Sequence, residues 1–329
     1  MVFVKTAIFD QDFDHPKCHC SVIQELPNHE LMAVWYAGKA EAHKSVGLKA
    51  SWKKINADDE EWSKPVLIHK TPGKPDGNEV IISYNGNLHM YFNVIRGRFF
   101  PWTKVVLKKT VSTDNGRTWS EPITILGNDQ KGYTVRTKPL VINERLIIPT
   151  GKETLFMQTG QMLITDNGEN YHLSKDTIKL PKGGCHQPAI TYLDNEELLA
   201  YLRTNQNFIY ESRSKDLGET WSEPVKTQLK NPNSALDFVR TQDGELVLIW
   251  NNNSKSGGMM KSRKILHVGY SPDEGKSWPI IKEIERDDKN GRFAYPAIIQ
   301  GSDGLFHLTY TNRRKNIQYV KFDLEWLKE

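Results

Sequence analysis

The stretch "STDNGRTWSEP" (112–122) returns almost letter for letter as "SKDLGETWSEP" (214–224). Each part of it has a physical task. The Asp carboxylate can accept backbone N–H groups across a bend, and Gly supplies the left-handed backbone that a side chain resists. The Trp offers a large ring to bury between neighbouring sheets. "SPDEGKSW" (271–278) is a third copy, and "TDNGENY" (165–171) is a fourth with Tyr in place of Trp. "ADDEEWSKP" (57–65) is a weaker fifth that keeps an acid, the Trp and the trailing Ser-x-Pro but lacks the Gly. The acids Asp59, Asp114, Asp166, Asp216 and Asp273 recur roughly every 50 residues, a period that marks a repeat architecture. These turns read as outer corners of the repeat, building the fold and doing no chemistry.

Between the turns the chain shows short apolar runs and no helical period. One strand of each unit stacks by eye: "LMAVWYAG" from Leu31, "LHMYFNVI" from Leu88, "LIIPTGKE" from Leu146, "LLAYLRTN" from Leu198, "LVLIWNNN" from Leu246 and "LFHLTYTN" from Leu305. Six units of four strands predict an all-β, six-bladed β-propeller with Asp-box turns, in a single domain over 1–329. The segment "VFVKTAIFD" (2–10) is expected to join the last sheet and close the ring.

In such a ring the inner strands converge on an axial funnel. Five residues past each leading Leu stand Tyr36, Asn93, Gly151, Arg203, Asn251 and Tyr310, and these are predicted to ring its mouth. Arg313 follows Tyr310 on the last of them. "TKPLVI" (137–142), "HQPAIT" (186–191) and "AYPAII" (294–299) place Lys138, Gln187 and Tyr295 before a Pro at a strand start, where proline is tolerated. "CHCSVI" (18–23) opens the first blade similarly, with His19 at the rim. "NPNSALD" (231–237) bends the chain and presents Asn233 and Asp237 near the funnel; Asp237 either orients an arginine or does acid/base work. Arg96 and Trp102, in "IRGRFFPW" (95–102), either line the second blade's loop or form an exposed basic-aromatic loop.

Composition narrows the class. Of 329 residues, 38% are hydrophobic and 26% charged, as in a soluble globular protein. No apolar run approaches the roughly 20 residues of a membrane helix. The N-terminal stretch lacks a basic segment followed by an apolar one, so a cytoplasmic location is expected. Three cysteines cannot make a disulfide framework, which agrees with a reducing compartment. The net charge of +4 suits an anionic substrate, while the lack of Lys/Arg runs interleaved with aromatics argues against nucleic acid.

The box pattern S-x-D-x-G-x-T-W, the six units, and the lines "HQPAITYLDNEELLAYLRT", "NPNSALDFVRTQDGELVLIWNN" and "AYPAIIQGSDGLFHLTYT" resemble the sialidase (neuraminidase) superfamily over nearly the whole chain. The resemblance implies three arginines on a substrate carboxylate, a Tyr nucleophile assisted by a Glu, and an Asp acid/base on a loop. It places Arg203, in "YLRT", at the second arginine, Arg263, in "KSRKILHVGYS", at the third, and Tyr295 at the nucleophile. Three positions depart from the pattern. His19 stands for the first arginine, Gln187 for the assisting Glu, and "AGKAEAHKS" offers Glu41 and His43 in place of the Asp. Gln187 cannot take a proton from the phenol, so the usual activation of Tyr295 is absent.

His19 and His186 each follow a Cys on a first strand, in blades facing each other across the ring, and are candidates for general acid and base. A metal site from Cys18, Cys20, Cys185 and these histidines would need ligands from opposite blades, and "C-H-C" lacks zinc spacing. No metal and no cofactor is expected. The first functional expectation is an exo-acting glycosidase releasing a terminal acidic sugar, sialic-acid-like, Kdo-like or uronic, with Tyr295 at the anomeric centre and Glu41, His43 or Asp237 supplying the proton. The alternatives are a lyase on uronate-containing glycans using Tyr and His, and a propeller that binds glycans without turnover.

Overall fold

A computed structural model describes residues 1–56, 61–97, 100–127, 132–254 and 263–329. Its strands form six antiparallel sheets in chain order. Blade one comprises β2 (Lys17–Glu25), β3 (Glu30–Gly38), β4 (Gly47–Lys54) and β5 (Val66–His69). Blade two is β6 (Asp76–Tyr84), β7 (Asn87–Ile95), β8 (Val105–Ser112) and β9 (Ile123–Leu126). In blade three the first strand is broken into β10 (Tyr133–Val135) and β11 (Leu140–Ile142), followed by β12 (Arg145–Glu153), β13 (Gln158–Thr165) and β14 (His172–Leu173). Blade four holds β15 (Cys185–Tyr192), β16 (Leu198–Thr204), β17 (Phe208–Ser214) and β18 (Val225–Lys230). Blade five has β19 (Asp237–Arg240), β20 (Leu246–Trp250), β21 (Ile265–Ser271) and β22 (Ile280–Arg286). Blade six is β23 (Phe293–Gln300), β24 (Phe306–Asn312) and β25 (Asn316–Phe322), completed by β1 (Phe3–Ala7) paired antiparallel to β25. The chain's first strand thus closes the ring, as its sequence predicts.

Burial falls from axis to rim. The second strands are apolar almost throughout because neighbouring blades cover both their faces, as in β3, whose residues after Glu30 are all buried. Fourth strands such as β5 and β9 are short and largely exposed. Between the third and fourth strands lie the boxed turns. Asp114 Oδ1 accepts from Thr118 N at 2.8 Å and from Ser112 Oγ at 2.7 Å, while Oδ2 accepts from Thr118 Oγ1 at 2.6 Å. Asp216 and Asp273 repeat the pattern with Thr220 and Ser277. The Gly at each turn presses on the preceding blade; a Cβ at Gly116 would lie 2.7 Å from Met32 Sδ. The fourth copy departs from its sequence reading. Asn167 Oδ1, not the Asp166 carboxylate, accepts Glu169 N and Asn170 N at 2.9 Å, and Asp166 turns outward to Arg145. That turn is one residue shorter before its Gly, which moves the acceptor by one place. Asp59 of the fifth copy lies outside the described residues.

The innermost strands carry the feature that shapes the axis. β2, β6, β15 and β23 each slip register against the next strand, between His19 and Val22, Gly77 and Val80, His186 and Ala189, and Ala294 and Ala297. Each slip contains one left-handed residue that is not glycine: Cys20 (φ 62°), Asn78 (φ 48°), Gln187 (φ 51°) and Tyr295 (φ 56°). These are β-bulges, which re-aim side chains and leave one residue out of the ladder. Pro188 and Pro296 therefore lie within bulges, where no ladder N–H is needed, and not at the strand starts that their sequence suggests.

Candidate active site

The bulges, with the loops at the same end of the strands, bring side chains from all six blades into one axial cavity of about 260 Å³. Tyr295, half-buried, stands inside it. Guanidinium carbons surround its ring: Arg136 at 5.1 Å, Arg263 at 5.7 Å and Arg203 at 6.0 Å from the ring centre. The His19 ring meets it edge-on at 4.3 Å between centres. Arg292 and Arg314 line the same cavity. A larger groove, about 470 Å³, runs along β1 at the rim beside Trp62 and Tyr319, but it gathers none of these axial side chains.

Arg203 is held by neutral partners. Its Nε donates to Asn233 Oδ1 at 2.8 Å, and its Nη1 donates to Gln187 Oε1 at 2.8 Å and to Tyr295 Oη at 3.2 Å. Arg263 has still less. Its Nη2 reaches the Asn233 carbonyl at 3.5 Å, and its buried Nε has no partner among the described residues. Burial, then the charge of Arg203, pulls its pKa down to about 10, which leaves it cationic at neutral pH. Arg314 is anchored to Glu41 Oε2 at 2.5 Å, and Tyr36 Oη donates to Glu41 Oε1 at 3.4 Å. Arg136 crosses the axis to donate to the Pro296 carbonyl.

His19 pairs through Nδ1 with Thr311 Oγ1 at 3.1 Å. Burial, reinforced by Arg314, Arg263, Arg292 and Arg136, pushes its pKa well below the ordinary histidine value. It is therefore a neutral ring at neutral pH and not a third cation. Arg292 and Arg314, both from blade six, bring the additional positive charge. His186 lies across the cavity beside Glu153, with Nδ1 at 3.6 Å from Glu153 Oε1.

The structure thus brings His19, Glu41, His186, Gln187, Arg203, Arg263 and Tyr295 together, with Trp102 at the edge and Asn233 directly behind. It does not bring in seven other candidates. Lys138 donates to Asp237 Oδ1 at 2.8 Å and to the Phe238 carbonyl, at the far end of the inner strands. Asp237 is consumed by that bond and by Ile298 N at 2.9 Å. Asn251 spans blades five and six, donating to the Ile265 and Phe293 carbonyls at 2.7 and 3.1 Å. Tyr310 is buried in the blade-six core and donates to Glu285 at 2.6 Å. His43 is engaged by Ser45 at 2.8 Å, Arg313 pairs with Asp287, and Arg96 is exposed; none of the three lines the cavity.

Sequence reasoning missed Asn78, Arg136, Glu153, Gln158, Arg292 and Arg314. Arg314 adjoins the chosen Arg313, and Arg292 lies three residues before Tyr295. Glu153 had one signal: its strand runs two residues past the Gly151 position of the stacked repeats. Among the described residues no group of three or more His, Cys, Asp or Glu side chains could hold a metal, and the three cysteines are buried and free. Among the described residues no helix is long and apolar enough to cross a membrane.

Similar proteins place this geometry in context. An anhydrosialidase of Macrobdella decora is 22% identical over 286 residues, covering 77% of this chain and 36% of that protein's length. The NanB sialidase of Streptococcus pneumoniae superposes with a TM-score of 0.79 at 14% identity, over 98% of this chain and 71% of that one. A protein of unknown function from Dyadobacter fermentans matches end to end, with a TM-score of 0.78 at 14% identity over 96% and 97% of the two chains. The BNR repeat-like domain model covers residues 29–308. With its boxed turns, six blades and convergent axial cavity, the chain belongs to the BNR repeat-like domain family and is a β-propeller of the sialidase type.

Proposed function

We propose that the protein is an exo-acting glycosidase that releases a terminal acidic sugar from a glycan. One observation carries the reading: Arg263 is buried, cationic and, among the described residues, without a counterion, next to an Arg203 whose hydrogen-bond partners there are all neutral. A buried guanidinium left unpaired is costly, and an arriving carboxylate with bidentate geometry offsets that cost. Tyr295 lies between these cations and the neutral His19, at the place where the sugar's anomeric carbon would be presented. A phenol avoids the repulsion a carboxylate nucleophile would meet from an anionic sugar. The cations also favour negative charge developing on the reacting oxygens. The names of the similar sialidases support this class of reaction.

A mass-spectrometric screen of a broad glycan panel is expected to find one released acidic monosaccharide. Tyr295→Phe should lower kcat by at least about 100-fold with little change in sugar binding. Full turnover by that variant would reject Tyr295 as the attacking group. A lyase is the second reading, favoured by Gln187 in the place of an assisting carboxylate and by a neutral imidazole against the phenol. An unsaturated product with new ultraviolet absorbance would decide for it, because hydrolysis makes none.

A further inference from the structure

Glu153 ends β12 and His186 stands at the β15 bulge, so the two meet on the cavity wall between blades three and four. Their hydrogen-bond partners impose a proton count. Asn233 Oδ1 accepts from Arg203 Nε at 2.8 Å, which fixes the amide with its oxygen also facing His186 Nε2, at 3.3 Å. Nε2 must then carry hydrogen. On the other side, Nδ1 faces Glu153 Oε1 at 3.6 Å and has no hydrogen-bond partner among the described residues. A bare nitrogen against a bare carboxylate would oppose two acceptors in a buried place. One extra proton between them removes the conflict.

We infer that Glu153 and His186 share one proton and that Glu153, the more exposed of the two, delivers it to the departing oxygen of the glycoside. This rests on the glycosidase reading above. The hydrogen-bond geometry calls for this proton while burial and the Arg203 charge work against it, so it is loosely held. Burial and the Arg203 charge draw His186 below its ordinary pKa, against Glu153 and Asn233. Burial raises Glu153, but His186, Arg203 and Thr134 together bring it below its ordinary value. Glu41, the other cavity carboxylate, is engaged by Arg314 and Tyr36.

As the bond from anomeric carbon to glycosidic oxygen breaks, its electron pair goes to the oxygen, which takes the shared proton and leaves as an alcohol. Tyr295 Oη bonds the carbon and its own proton passes to solvent. A water then attacks the carbon and returns one proton to the Glu153–His186 pair, and the released Tyr295 oxygen is reprotonated from solvent. Glu153 is the catalytic residue here, and His186 is a positioning residue that stores its proton.

Two measurements test this. Nitrogen NMR of histidine-labelled protein at neutral pH should show His186 with hydrogen on both nitrogens or shared at Nδ1, and Glu153→Gln should convert it to a single neutral tautomer. A neutral single tautomer in the wild type would overturn the shared proton. Turnover is then compared on sialyllactose against para-nitrophenyl sialoside, and on a glucuronyl disaccharide against para-nitrophenyl glucuronide. Glu153→Gln should lose about 100-fold or more on the sugar leaving group, as expected for a missing general acid, but stay within about threefold on the nitrophenolate, which needs no proton. Equal losses on both leaving groups would overturn the delivery step. A wild type inert on both pairs but with His186 doubly protonated would reject the glycosidase reading and the delivery step, leaving the proton count intact.

Discussion

Arg263 and Glu79 are two buried ionisable groups whose pKa values burial moves in opposite directions. Arg263 keeps its proton because a guanidinium is hard to neutralise, so the site holds an unspent cation. Arg263→Gln is expected to weaken sugar binding by about 10- to 100-fold, in line with a charged hydrogen bond. The same variant should raise the denaturation midpoint, because it removes an uncompensated charge. A midpoint that falls would mean Arg263 supports the fold. Glu79 follows the left-handed Asn78 and is fully buried, with neither carboxyl oxygen bonded among the described residues. Burial holds its pKa well above the ordinary glutamate value, so the folded state keeps a proton that the unfolded state loses. Its contribution is complete below about pH 4.3 and is lost as pH rises toward the folded value. Glu79→Met should therefore stabilise by about 1–3 kcal/mol at neutral pH and by less in acid, as urea melts at two pH values would show.

At the scale of elements, the boxed turn separates residues that look alike in sequence. Asp114 is clamped by Thr118 and Ser112, and these bonds bring its pKa down to about 2. A depressed carboxylate stabilises above its unfolded pKa, and that support goes as pH falls through the folded value. Asp114→Ala and Asp216→Ala should each cost about 1–2 kcal/mol, like the loss of a helix cap, whereas Asp166→Ala should cost under about 0.5 kcal/mol. Thermal melts of the three variants would check the order; an equal loss at Asp166 would show that Asn167 does not hold that turn. The repeat was legible because Asp, Gly and Trp each have one job at a fixed spacing. The site was legible only where blades keep register. Gln187 and Tyr295 occupy matching bulges, but blade three's first strand breaks between β10 and β11, and Lys138 within the break faces the other end of the axis. Counting five from each leading Leu reached Arg203, yet the same count found Asn93 and Asn251, whose amides bridge to the next blade. Amide bridges and cavity-lining residues share a polarity and a position on the strand; only the partner strand distinguishes them. Arg313 and Arg314 adjoin in one hairpin, both left-handed, and sequence cannot say which turns inward.

At the scale of the molecule, the ring is held along its axis as well as around its rim. Arg136 to the Pro296 carbonyl, Thr137 to the Pro188 carbonyl and Asp237 to Ile298 N satisfy inner-strand groups that face no further strand. Removing residues 1–8 takes away β1, leaves β25 as an open edge and frees the Val2 bond to Asp323. The shortened protein is expected to melt at least about 10 °C lower and to aggregate, which light scattering during the melt would report. An unchanged melt would mean three strands suffice for blade six. That blade combines β1 with β23, β24 and β25, and it also carries Tyr295, Arg292 and Arg314. A nascent chain makes β1 long before the strand that receives it, so Tyr295 is mounted on the last of the six sheets to be finished. The axial cavity is then assembled only when that sheet forms, and a product terminated before β23 should lack it even if its first five blades have folded.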